Sequence, residues 1–334
     1  MAIGSGGVVW RANGGIYGRG RLDLAGADTL LTMTQAPSAK PHQVAEPVEK
    51  AAPKPPARKQ VTLRTIAKFA QRGEKFACLT CYDVTTARWL ERAGVPLLLV
   101  GDTAAEVILG LPGTIHAPLD FLITITAAVK RGAPNSLVMA DMPFLSYQAD
   151  DAEGIHNAGR FMTEGLADLV KIEADRSFAP LVEKMVRAGI PVVGHIGSRP
   201  QQSKVRGGYR SVGRTAAQAG PLVDDAIALE KAGATMLLIE ACPDEVSQRI
   251  VQETSIPVIG CGAGPSCHGQ IVVLQDLLGL TDWQPSFARP ITALGEGIIA
   301  AAQRWIEMVR ASELGEHPYT MNEGELDKFV QQRP

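Results

Sequence analysis

What the sequence lacks narrows it first. No stretch approaches the roughly 18 to 20 consecutive apolar residues of a membrane-spanning helix; the longest runs, such as VPLLLV at 95–100, are strand-sized. Charge of one sign is also missing. Lys and Arg number 33 against 35 Asp and Glu, a net charge of −2, so there is no basic surface of the kind nucleic acid requires. Aromatic residues make up only 5% of the chain against 46% hydrophobic residues, so the core must be built from small aliphatics. Cysteine is sparse. The five (Cys78, Cys81, Cys242, Cys261, Cys267) make no even set and no zinc spacing, which reads as a reducing, cytoplasmic setting. Cys78 and Cys81 form a CxxC, but inside an apolar run rather than at a helix start, where a thiolate would be stabilised.

Residues 34–60, TQAPSAKPHQVAEPVEKAAPKPPARKQ, are rich in Pro, Ala and Lys without apolar periodicity and read as a disordered extension. Residues 1–33 have no secretory apolar region, and Met33 is an alternative start. The domain organisation expected is therefore an extension over 1–61, a catalytic barrel over 62–315 and a tail over 316–334.

From residue 62 onward short aliphatic runs recur. They are FACLTC (76–81), LLLVG (97–101), SLVMA (136–140), LVKIE (169–173), PVVGHI (191–196), MLLIE (236–240), PVIGC (257–261) and IVVLQ (271–275). Most are separated by helical stretches, and AGV, AGI and AGA close helices just before strands, which predicts parallel βα units. Eight such strands predict a TIM (β/α)8 barrel, although the last gap is short for a crossover helix; a doubly wound sheet is the alternative.

The fourth run poses a question. Side chains alternate along a strand, so Lys171 and Glu173 face one way while Val170 and Ile172 face the other. In a central strand both charges enter the interior, either as a buried ion pair or as part of a site. Other strand ends are also polar: Asp102 and Thr103 in VGDT, Asp141 in ADMP, His195 in GHIG and Glu240 in LLIEA. In a barrel these residues would converge on the C-terminal face, where barrel enzymes place their chemistry. Asp102, Asp141 and Glu173 are hard oxygen donors suited to Mg²⁺ shared with a substrate oxygen. Lys171, kept protonated by such neighbours, suits a substrate carboxylate better than a Schiff base. His195 could donate to a substrate oxygen or be a core histidine, and Glu240 could act as a general base. A cation chelated by a 2-oxoacid would acidify the adjacent C–H, and Glu240 could then remove that proton to leave a carbon nucleophile. The electrophile stays open at this point.

At these residues the chain resembles the ketopantoate hydroxymethyltransferase family. The resemblance spans about 62–290 and rests on LTCYD, LLVGD, AAVKRGAPNSLVMADMPF, LVKIE, PVVGHIG, GGYRSVGRT, DDAIALEKAGA, LLIEACP and IPVIGCGAG. It implies a barrel of the phosphoenolpyruvate mutase and isocitrate lyase kind. It also implies a reaction in which Mg²⁺ and 5,10-methylenetetrahydrofolate serve to add a hydroxymethyl group to 3-methyl-2-oxobutanoate, giving 2-dehydropantoate. Carried over, Asp102 and Asp141 would hold the metal with Glu173 close by, Lys171 and the Thr103 region the substrate carboxylate, His195 would line the site, and Glu240 would be the base. A homo-oligomer, by resemblance a decamer, is implied as well. The chain departs from the family pattern at Thr103, at PGTIHAP (112–118), at Thr124 and Ile125, at His268 and at Gln275. These positions bear on substrate size and folate handling. The segment RPQQSKVRGGYRSVGRT (199–215) carries Lys204, Arg206, Arg210 and Arg214 among glycines, either as a solvated loop or as a mobile lid for the folate glutamate tail.

Overall fold

The computed structural model describes residues 59–332; the expectations for the extension ahead of them, including Met33, lie outside the described residues. Eight strands, β1 (Phe76–Thr80), β2 (Leu97–Val100), β3 (Leu137–Asp141), β4 (Leu169–Glu173), β5 (Val192–Gly197), β6 (Met236–Glu240), β7 (Val258–Cys261) and β8 (Gly269–Val272), pair in sequence order. All pairings are parallel, and β8 closes on β1. Helix α1 (Leu63–Gln71) precedes the barrel. Around it run α2 (Val84–Ala93), α3 (Ala104–Val107), α4 (Leu119–Gly132), α5 (Asp151–Thr163), α6 (Ala179–Arg187), α7 (Ser203–Arg206), α8 (Ala216–Lys231) and α9 (Asp244–Glu253), with α10 (Leu274–Leu277), α11 (Leu294–Ala311) and α12 (Glu325–Gln331) after the last strand. This is a TIM barrel, and the doubly wound alternative is excluded by closure.

Strand alternation divides the apolar residues into two cores. Leu97, Leu99, Leu137, Met139, Leu169, Val193, Met236, Leu238, Ile259 and Ile271 point inward and fill the barrel. Ile66 of α1, fully buried, joins this inner cluster. Leu98, Val100, Val138, Val170, Ile172, Leu237 and Ile239 point outward against the helices. Each fully buried Leu or Ile contributes about 1.5–3 kcal/mol relative to an exposed one. The same alternation separates the CxxC: Cys78 faces the inner core and Cys81 the outer one. Burial raises both thiols, Cys81 to about 12, so neither is a ready thiolate.

The AGV, AGI and AGA signals hold. Gly94, Gly189 and Gly233 take positive φ (95°, 88° and 97°) three residues before the first residue of β2, β5 and β6, a conformation that costs glycine nothing.

The last unit differs from the sequence expectation. β8 occupies Gly269–Val272 rather than 271–275, and no helix separates it from β7. The strand starts early because His268 Nδ1 accepts a 3.1 Å bond from the Val258 N–H. Gly269, lacking a side chain, lets the Phe76 ring pack against it. Leu274, expected in the strand, is instead buried in the first turn of α10. Beyond residue 315, where the sequence suggests only a tail, α12 forms. No helix among the described residues is long and apolar enough to cross a membrane.

Candidate active site

Barrel register brings the polar strand ends together. Asp141 pairs with Lys171, Glu173 with His195, and Gly197 with Glu240, so inward-facing side chains of β3 to β6 form one rising row at the C-terminal face. Asp102 follows β2, and its backbone N–H donates to Asp141 Oδ2 at 3.1 Å. Asp102, Asp141, Lys171, Glu173 and His195 are all buried. All six ionisable residues expected at the site from sequence lie on this face.

A row of polar contacts runs from Asp141 through Lys171 to His195, with Glu240 standing just beyond hydrogen-bond reach of its end. Lys171 Nζ is 2.7 Å from Asp141 Oδ1 and 3.3 Å from His195 Nδ1. Lysine can only donate, so His195 Nδ1 must accept and Nε2 must carry the ring proton. That proton faces Glu240, whose Oε2 is 3.5 Å away. His195 Nε2 has no closer hydrogen-bond partner among the described residues, so a slight approach of Glu240 would complete the chain.

Electrostatics assign charge states along it. Burial alone would lower Lys171, but Asp141, Asp102 and Glu173 outweigh that and hold it above its ordinary value, as an ammonium. Burial, reinforced by the charges of Lys171 and Arg199, pushes His195 well below its ordinary value, so the ring is neutral. Burial raises Glu240 to about 7, with Lys171 pulling it down and Asp141 pushing it up. A carboxylate poised there is suited to proton abstraction near neutrality.

The acid side of the site carries more negative charge than Lys171 can balance. Burial first, and repulsion from Asp141 second, raise Asp102 well above the carboxylate range; burial and the Asp102 charge do the same for Glu173. A hard divalent cation would relieve this repulsion, so the donor set fits one. The three carboxylates do not form a preassembled triad, however: no group of three candidate ligand side chains gathers among the described residues. The two aspartates stand side by side, while the Glu173 carboxylate is taken up by the Gln201 backbone N–H at 3.0 and 3.2 Å.

Gln201 is the residue that sequence reasoning passed over. It lies in the segment 199–215, read as a solvated loop or a lid, yet it is only 5% exposed. Its amide Nε2 donates to Asp102 Oδ2 at 2.9 Å and to the Met142 carbonyl at 3.0 Å. Tyr147, also missed, is buried with its hydroxyl donating to the Glu173 carbonyl at 3.0 Å. The only sequence signal for Gln201 is its place directly after β5, among residues notable for charge.

Above this row opens a cleft of about 950 Å³ with Glu240 in its lining. Thr103 borders it, as do Arg210 and Arg214. Arg206 instead turns back toward the barrel rim, toward the Gly197 carbonyl and Gln202 Oε1. Of the departures from the family pattern, only Thr103 and Thr114 of the 112–118 loop line the cleft. Thr124 and Ile125 sit on α4, where Thr124 bonds back to the Asp120 carbonyl and Ile125 packs on the outer core. His268 is at the start of β8, the opposite end of the barrel from the site.

The closed parallel barrel with its acid cluster at the C-terminal face defines a class: a TIM (β/α)8 barrel with a carboxylate-rich site at its strand ends. The fold is shared with 2,3-dimethylmalate lyase, a member of the phosphoenolpyruvate mutase and isocitrate lyase superfamily (TM-score 0.50, 16% identity, 81% of this chain and 96% of that one). It is shared equally with phosphoenolpyruvate phosphomutase from Streptomyces platensis subsp. rosaceus (TM-score 0.53, 14% identity, 81% and 98%). Within this class the chain belongs to the ketopantoate hydroxymethyltransferase family, whose model matches residues 60–317. It is 44% identical over 274 residues, 81% of this chain and 95% of the relative, to the 3-methyl-2-oxobutanoate hydroxymethyltransferase of Hyperthermus butylicus.

Proposed function

We propose that this chain transfers a hydroxymethyl group to 3-methyl-2-oxobutanoate, using 5,10-methylenetetrahydrofolate and water and releasing 2-dehydropantoate and tetrahydrofolate. The observation that carries this reading is the chain Asp141–Lys171–His195–Glu240, which ends in a carboxylate raised to about 7 beside an open cleft. Asp102 and Asp141 would hold Mg²⁺, with Glu173 close by. Bound there, the cation supplies Lewis-acid polarisation of the oxoacid. Lys171 keeps one N–H beyond its contacts with Asp141 and His195 and offers it to the substrate carboxylate. Glu240 takes the C3 proton, and the neutral His195 ring steadies the carboxylate before and after. Water releases the donor's one-carbon unit at the formaldehyde level and frees tetrahydrofolate; the carbon left behind adds to that carbonyl, whose oxygen takes a proton and becomes the product's hydroxyl.

The donor must reach the same carbon as Glu240, which supports the outer cleft as its place in this reading. There Tyr209, Trp283 and Phe287 offer exposed aromatic faces, and Arg210 and Arg214 offer cations for an acidic tail. The reading is tested by incubating the purified protein with Mg²⁺ and both substrates and following ketopantoate by NMR, with and without EDTA. EDTA-sensitive product is expected. A folded protein that binds Mg²⁺ yet makes no ketopantoate would overturn this substrate assignment, and a panel of other oxoacids would then locate the true one.

The same reading includes a homo-oligomer in a reducing, cytoplasmic setting, which the five unpaired cysteines support. Helix α11 buries no residue, and Leu294, Ile298, Ile299, Trp305, Ile306 and Val309 on it are exposed. A second copy of this chain is the partner proposed for that apolar surface. Light scattering on the intact protein should give a mass above the monomer, falling when Trp305 and Ile306 are replaced by serine; a monomeric parent would contradict it.

A further inference from the structure

Gln201 uses nearly every polar atom it has. Nε2 donates to Asp102 Oδ2 and the Met142 carbonyl, while Oε1 accepts from Gln148 Nε2 at 2.8 Å and lies 3.3 Å from the Tyr147 hydroxyl. The amide can sit only this way round, because a carboxylate and a carbonyl need donors and Gln148 presents one. Its backbone N–H meanwhile serves Glu173. One residue therefore spans the two sides of the acid cluster, from the end of β2 to the end of β4. It does so from the short turn Pro200–Gln202, which Arg199 anchors through a 2.8 Å contact with Asp175. That turn opens the segment whose far end brings Arg210 and Arg214 to the outer cleft.

We propose that Gln201 is a positioning residue: it fixes Asp102 and Glu173 relative to one another, so that the cation site is assembled only when the start of the 199–215 segment is seated on the barrel. The inference rests on the reading of Asp102 and Glu173 as the acid side of a Mg²⁺ site. It differs from a packing role in what it touches. A residue that merely filled space would not need its donors aimed at a carboxylate, nor a second amide, Gln148, to set its orientation.

The experiment is Mg²⁺ titration by calorimetry, without oxoacid, on the full chain and three variants. Gln201→Met keeps length and the backbone donor to Glu173 but loses the amide. Partners one step behind a metal ligand typically change affinity by about 10–100-fold, and a loss of that size is expected here. The melting temperature without Mg²⁺ should move little. Gln148→Leu, at a half-buried rim position, should weaken Mg²⁺ in the same direction by less. The double variant should lose no more than Gln201→Met alone, since both act through one amide. Should Gln201→Met fail to fold, Gln148→Leu decides. Parent-like Mg²⁺ affinity in the folded variants, or additive losses in the double variant, would overturn the positioning role. A parent that binds no Mg²⁺ would overturn the reading of the acid cluster itself, and this inference with it.

Discussion

The two ends of the barrel interior are built by inward-facing positions of the same strands, two or four residues apart, and they do opposite things. At the lower end Leu137, Leu169, Val193 and Met236 pack in one cluster with Ile66 of α1. One or two positions further along the same strands stand Asp141, Lys171, Glu173, His195 and Glu240. Apolar burial stabilises the first region, while the second gathers charges whose mutual repulsion works against folding. The comparison teaches that stability and chemistry are separated along the strand axis rather than around it, as expected of a barrel whose active face is carboxyl-terminal.

This separation can be broken from the upper end first. Lys171→Met leaves Asp102, Asp141 and Glu173 buried without their cation, and removing one partner of a buried pair typically costs about 3–5 kcal/mol. Urea unfolding should show a loss of that order without metal, with much of it recovered on adding Mg²⁺. From the lower end, Leu137→Ala opens a cavity in the inner core and is expected to cost about 2–5 kcal/mol. Its Mg²⁺ affinity should stay at the parent level, which calorimetry checks; a large affinity loss there would show the two ends to be coupled.

A pH profile sharpens the chemical side. Glu240 must be ionised to accept a proton and is raised to about 7. The kcat/KM for C3 exchange should therefore fall as pH drops through about 7, by about tenfold per unit below it. A profile flat down to pH 5 would place the base elsewhere. The smallest effect is expected at His268, whose Nδ1 serves only the Val258 N–H among the described residues. His268→Ala should cost about 1 kcal/mol in denaturant unfolding and leave exchange unchanged.

Much of this was legible in the sequence for a physical reason. Strand alternation and the βα rhythm are local patterns, so the seven strands up to β7, the glycine turns and the inward direction of Lys171 and Glu173 all follow from spacing. β8 was misplaced because its start depends on long-range partners, the Val258 N–H on the His268 ring and the Phe76 ring over Gly269, and not on its own hydrophobicity. Gln201 was hidden for a related reason. A neutral amide carries no periodicity and no charge, and its importance comes only from where the turn after β5 sets it down. The departures at Thr124, Ile125 and His268 drew suspicion in one dimension; in three they lie away from the cleft.

The most direct measurement is deuterium exchange at C3 of 3-methyl-2-oxobutanoate in D₂O with Mg²⁺ and no folate, comparing the parent with Glu240→Gln. The parent should exchange the proton, and Glu240→Gln should lose about 10²–10⁴-fold in rate, as expected when a positioned general base is removed, while its Mg²⁺ affinity stays close to the parent value. Undiminished exchange in Glu240→Gln would contradict the central claim that the chain from Asp141 through Lys171 and His195 ends in the catalytic base.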